Sequence, residues 1–170
     1  MSRPIKSIWL FLLGLLGLHG TSAFADSDVL CIASAPGDST VVAGCIDILS
    51  WSWGASNSAL TGTPPNIALS DISFAKQADS ASGPLFSLLV VGKTFTAEYS
   101  QFKDCCLATP YLTIHFSGAF VSSWQSSAST ERPVESLSLS YNAVSYCYTP
   151  TAGSPQCSAF SKTLGPISPF

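Results

Sequence analysis

Residues 45–58 read CIDILSWSWGASNS, and the rest of the chain is best read outward from this stretch. It opens with the period-2 alternation of a β-strand: Ile46 and Ile48 point one way, and Cys45, Asp47, Leu49, Trp51 and Trp53 the other. Ser52 falls between the tryptophans, and Gly54 ends the run before a series of small polar residues. Two of the four tryptophans of the chain therefore share one face, as anchors able to bury large apolar areas or to meet another subunit.

The N-terminus has a different character. Arg3 and Lys6 make a positive leader, Ile8 to Leu18 is apolar apart from glycines, and Ala23-Phe24-Ala25 is a small-x-small cleavage site. This pattern predicts a secretory signal peptide over residues 1–25, cut between Ala25 and Asp26. The apolar run falls well short of the ~20 residues of a membrane-spanning helix. No later stretch approaches that length, so no membrane association is expected after cleavage. The remaining chain, 26–170, has 170 − 25 = 145 residues, a length suited to one domain.

Removing the leader takes away two of seven basic residues and no acidic ones, leaving five against ten, a net charge of 5 − 10 = −5. No basic patch forms, which argues against nucleic acid as a partner. All six cysteines, Cys31, Cys45, Cys105, Cys106, Cys147 and Cys157, lie after the leader. An even number in an exported chain reads as disulfides, and the spacing of a metal site is missing. Cys31 and Cys45 stand at similar distances from the Pro36-Gly37-Asp38 turn, and Cys147 and Cys157 flank the 150–155 turn almost symmetrically. The partners of Cys105 and Cys106 stay open.

No cofactor or metal is expected, and no catalytic constellation either. His19 leaves with the leader, so a Ser-His-Asp or Cys-His site could use only His115. The acids Asp71, Asp79, Glu98, Asp104, Glu131 and Glu135 are scattered and sit in no hydrolase motif.

Taken in order, residues 28–34 form a first strand and 41–53 a second. Residues 55–65 form a long loop, and 66–76 a third strand with a bulge near Ser70–Asp71. Ser82 or Gly83, Pro84 and a terminal Gly92 bound the one helix, which should plug a side or end of the β-structure. Strands follow at 94–102 and 111–123, the second with Leu112, Ile114, Phe116 and Phe120 on one face. A polar loop covers 124–135, one strand 136–148, a last strand 156–164, and the GPISPF tail is loose. The sum is roughly seven or eight strands with one short helix, an all-β, two-sheet antiparallel barrel or sandwich.

Two motifs also carry a family resemblance. Ile46 to Ser58, IDILSWSWGASNS, is similar to the I-[DE]-[VIL]-L-x-W-S-W-G-x-S signature of the haemolysin-coregulated protein (Hcp) family, and residues 66–79, NIALSDISFAKQAD, resemble its V-x-D-[LI]-S-F-x-K-x-x-D strand. The helix ending at Gly92-Lys93 and Glu135 before the next strand follow in the same order. The resemblance implies a two-sheet β-barrel with one helix and no catalysis. It implies self-assembly into hexameric rings stacked as the tube of a type VI secretion system, with a secreted effector or other tube components as partners. The leader and the six cysteines depart from that family pattern and imply export to the periplasm or the medium. A monomeric exported binding module, using the 55–65 and 124–135 loops, is the alternative reading.

Overall fold

The computed structural model describes residues 26–62, 66–103, 109–128 and 131–170. The leader with Ala25, and Cys105 and Cys106, lie outside the described residues. Strand β1 (Ser27–Cys31) pairs antiparallel with β2 (Ile46–Ile48), placing Val29 opposite Asp47. The chain then changes sheets. Leu49 N–H donates to the Ala75 carbonyl (2.8 Å), and β3 (Ser50–Ser52) pairs with β6 (Ile72–Gln77). The expected single strand over 41–53 is thus two short strands with different partners. The crossing shifts the inward parity by one residue: Ile46 and Ile48 are buried, Leu49 is exposed, and Trp51 and Trp53 turn back onto the core.

The next expectation to be corrected is the 55–65 loop. Strand β4 (Ala55–Asn57) pairs with β5 (Ile67–Leu69) as a separate two-stranded ribbon. Asn57 Oδ1 accepts the Ala59 N–H (3.0 Å) and the Asn66 N–H (3.2 Å), so one side chain organises both sides of the turn. The interruption between β5 and β6 falls at Ser70–Asp71, where a bulge was expected.

Helix α1 (Ser82–Val91) begins with Ala81 at its cap position, not Ser82 or Gly83. Asp79 Oδ1 accepts the Ala81 N–H (3.0 Å), and Ser82 Oγ accepts the Asp79 N–H (3.0 Å). These two bonds take up the amides of Asp79 and Ala81 just ahead of the helix and fix the turn that leads into it. Gly92, at φ +66°, closes the helix as expected.

Strand β7 (Phe95–Phe102) leads to β8 (Leu112–Ser127), which runs through part of the stretch expected to be a polar loop. Its first half pairs with β7 and β10 (Ala143–Tyr148), its second half with β9 (Val134–Ser140). Gly118 at φ +57° accompanies an irregularity in the β7–β8 register, which moves the inward positions from Ile114 and Phe116 to Ala119 and Val121. Phe120, expected on the buried face, is exposed for this reason. A Cβ at Gly118 would stand 2.5 Å from Asn142 Nδ2, so another residue here would have to displace the Asn142 side chain as well as adopt a strained backbone.

Residues 136–148, expected as one strand, divide at Tyr141–Asn142 into β9, paired with β6 and the second half of β8, and β10, paired with the first half of β8. Strand β11 (Gln156–Ser161) pairs with β10, and the expected loose tail contains a further strand, β12 (Gly165–Ile167), on the outer side of β11. The result is a ten-stranded antiparallel sheet in which β8 is common to two layers. Inside lies one main core, with Leu30, Ile46, Ile72, Phe74, Leu85, Tyr99, Ile114, Phe116 and Leu137 all buried. Among the described residues there are twelve strands rather than seven or eight, because sheet changes break the long ones. No described helix is long and apolar enough to cross a membrane.

Disulfides join Cys31 to Cys45 and Cys147 to Cys157. Cys45 is buried with Val29 and Phe102 in a second apolar cluster outside the main core, against which Val41 and Val42 pack. Replacing both Cys31 and Cys45 by serine should lower the unfolding free energy by about 2–4 kcal/mol, measured by urea denaturation, through the freedom regained by the unfolded chain.

Candidate functional site

Three features outside ordinary core packing distinguish this chain. The first lies inside the barrel wall. On β6 the inward positions run Ile72, Phe74, Lys76, so the pleat carries a lysine into the interior, where its exposure is 0%. Directly across the sheet stands Glu135 on β9, also buried. Lys76 Nζ donates to Glu135 Oε2 (2.8 Å) and to Ser82 Oγ (3.1 Å), and lies 2.8 Å from Asp79 Oδ1. Ser82 Oγ donates to Glu135 Oε2 (2.8 Å). One ammonium therefore ties two strands to the start of α1. Such a cluster is stable only when every charge has a partner, and here the ammonium has three. Nearby, Asp38 accepts from the Ser80 hydroxyl (2.6 Å) and amide (3.1 Å), bonds that hold its carboxyl below the usual carboxylate range.

The second feature is the tryptophan strand. Trp51 packs on Tyr99 (5.1 Å between ring centres), and Phe74 meets the same tyrosine at 5.7 Å. Trp53 stacks on Tyr146 and donates its indole N–H to the Tyr141 hydroxyl, which donates in turn to the Ser70 carbonyl (3.0 Å). Burial, the main cause, pushes the Tyr141 phenol up to about 12 and the Tyr99 phenol higher still. Ser52 is exposed opposite Ser73, and Asp47 lies exposed by a small cleft with Asp38, Asp79 and Arg132. The Gly54 N–H donates to Ser70 Oγ (3.0 Å), and Ser70 Oγ donates back to the Gly54 carbonyl (3.0 Å). Asp26, expected to become the first residue after cleavage, accepts from the Tyr111 hydroxyl (3.0 Å).

The third feature is the outer face of α1. Leu85 and Leu88 face the core, yet Phe86, Val90 and Val91 remain 49%, 68% and 71% exposed. The helix is apolar on both sides. Phe86 extends the patch toward β8 by packing on Trp124 (5.5 Å).

His115 comes closest to a catalytic group. Its Nδ1 is 3.5 Å from Glu98 Oε2, and Ser145 stands opposite it on β10. Ser145 is fully buried, however, and its hydroxyl makes no hydrogen bond to His115 or to any other described residue. Among the described residues no three His, Cys, Asp or Glu side chains come together as a metal site.

Sequence reasoning singled out the tryptophan strand but missed the Lys76–Glu135 pair and the role of Tyr141. The lysine was detectable in principle: it continues the Ile72, Phe74 parity of an amphipathic strand. Its partner was not, since nothing local to Glu135 announces a strand 59 residues away.

The family model described as "Type VI secretion system effector, Hcp" matches residues 30–148. No curated protein matches the chain. Among solved structures, Hcp1 from Salmonella typhimurium superposes with a TM-score of 0.73 at 24% identity, covering 84% of this chain and 99% of that one. A type VI secretion system effector from Yersinia pestis gives 0.68 at 22% identity, covering 79% and 98%. Hcp2 from Salmonella typhimurium gives 0.65 at 22%, covering 82% and 98%. These structural likenesses speak for the fold, whereas the family match extends over most of the sequence, from β1 to the end of β10. The chain belongs to the Hcp family of type VI secretion system proteins.

Proposed function

We propose that residues 26–170 form a single Hcp-like domain, exported after removal of residues 1–25, that acts as a non-enzymatic structural subunit. Copies self-associate into rings, hexameric in keeping with the family, and the rings stack in a tube related to that of type VI secretion. Partners are further copies, with a secreted effector or other tube components. The two disulfides support residence in an oxidising space, periplasmic or extracellular.

The observation that carries self-association is the apolar outer face of α1. Phe86, Val90 and Val91 gain nothing from water, and a lone subunit leaves them in it. Size-exclusion chromatography with light scattering, followed by electron microscopy of residues 26–170, tests the reading. Rings are expected, and a strict monomer at high concentration overturns it. Val90→Asp should shift the protein from ring to monomer while circular dichroism shows the subunit fold retained, because the side chain is exposed in the subunit.

A second reading, a monomeric exported binding module, draws on one observation. A groove of about 600 Å³ lies between the β4–β5 ribbon and the β11–β12 ribbon, lined by Asn57, Asn66, Leu69, Phe160, Lys162 and Pro166. A monomer with a saturable ligand at this groove would favour it over the tube subunit.

A further inference from the structure

The two disulfides hold very different neighbourhoods. Cys31–Cys45 joins β1, which is paired on both sides, to the residue just before β2, and Cys45 is buried beside Val29 and Phe102. Cys147–Cys157 joins a directly opposed pair on β10 and β11. Beyond it β11 keeps its six-residue ladder with β10, and Phe160 packs against the main core. Gln156, Cys157 and Ser158 are nevertheless exposed, and among the described residues β12 pairs with β11 alone. The far end of β11 is fastened where the Lys162 N–H donates to the Asn142 carbonyl (2.8 Å) and Lys162 Nζ sits 4.6 Å above the Tyr141 ring. At the near end the disulfide is the covalent tie.

We propose that Cys147–Cys157 is a redox clasp on the β11–β12 ribbon. The clasp secures the exposed Gln156–Ser158 end of that ribbon, whose other end supplies Phe160, Lys162, Gly165 and Pro166 to one wall of the 600 Å³ groove. Opening follows ordinary thiol–disulfide exchange with a dithiol reductant. A thiolate of the reductant attacks one clasp sulfur, forms a mixed disulfide and expels the other cysteine as a thiolate. The second thiol of the reductant then closes its own disulfide and releases the first cysteine. Two electrons pass to the protein, and two cysteine thiols and one oxidised dithiol result. Cys157 is exposed and offers an open sulfur to attack, whereas at the other bridge Cys45 is buried and only the half-buried Cys31 can be reached. Reduction removes the tie without unfolding the barrel, and the ribbon opens locally. The clasped state therefore belongs to an oxidising compartment.

The test is a titration of oxidised residues 26–170 with dithiothreitol, quenched by alkylation and mapped by peptide mass spectrometry. Cys147 and Cys157 should be labelled at least about tenfold faster than Cys31 and Cys45. Hydrogen exchange on the selectively reduced protein should show amides of Gln156–Ser161 losing about tenfold or more of their protection, with Ser27–Cys31 unchanged. A C147S/C157S variant should reproduce the loosened ribbon. Simultaneous opening of both bridges, earlier opening of Cys31–Cys45, or full ribbon protection after reduction each overturns the proposal. The titration needs no variant, so it decides the matter even where the double serine variant misfolds.

Discussion

Lys76→Ala should lower the unfolding free energy by about 3–5 kcal/mol, among the largest single losses available in this chain. The substitution removes an ammonium of 0% exposure and leaves the Glu135 and Asp79 carboxylates facing the space it filled. Two effects add. The carboxylates lose their counter-charge where water cannot replace it, and the tie between β6, β9 and the start of α1 is gone. Lys76→Met keeps most of the volume, so a similar loss in that variant assigns the effect to charge rather than to a cavity. Removing the stranded charges too, in K76M/E135L/D79N, should recover most of the loss, because a buried ion pair is often no more stabilising than apolar residues of its shape. Urea denaturation followed by circular dichroism measures all three. A loss below about 1 kcal/mol for Lys76→Ala would show that helix and sheet are held by Leu85 and Leu88 alone.

Phe74→Ala should cost a comparable amount, about 3–5 kcal/mol, by a different route. Phe74 is 1% exposed, pairs across the sheet with Trp51 on one side and Leu137 on the other, and packs its ring on Tyr99. Truncation therefore opens a cavity where three strands meet, bordered by large rings that can relax only in part. Phe74→Leu should cost markedly less, about 1.5 kcal/mol, because it keeps most of the buried volume. The same denaturation curves separate the cases. Phe74 and Lys76 lie two residues apart on one strand face, so the double variant should depart from the sum of the single losses.

How far the sequence discloses this structure depends on the reach of each signal. Helix α1 was legible almost to the residue, because Gly92 is a local stop and the leucine spacing is local. The pairings Cys31–Cys45 and Cys147–Cys157 follow from symmetry about nearby turns. The break at Ser70–Asp71 shows in the parity of Ile67, Leu69, Ile72 and Phe74. The sheet changes at Leu49, Gly118 and Tyr141–Asn142 do not. At each, alternation continues in sequence while the pairing partner changes in space, and composition carries no trace of a partner. The 55–65 loop and the GPISPF tail were misread for a related reason: β4 and β12 are only three residues long, and polar or Pro-containing segments of that length reach strand geometry through pairing rather than propensity. Of the candidate site, the tryptophans stood out by size, whereas the lysine and glutamate joined inside the wall did not.

The Lys76–Glu135 pair also sets a timetable. Its members are 59 residues apart, and the chain emerges from the ribosome N-terminus first. At synthesis rates of about 5–20 residues per second, Lys76 waits roughly 3–12 s for its partner. During that interval Lys76 has Asp79 and Ser82 as partners but lacks Glu135, so the buried cluster is incomplete. The tie between β6 and β9 is thereby completed late, by a residue far downstream.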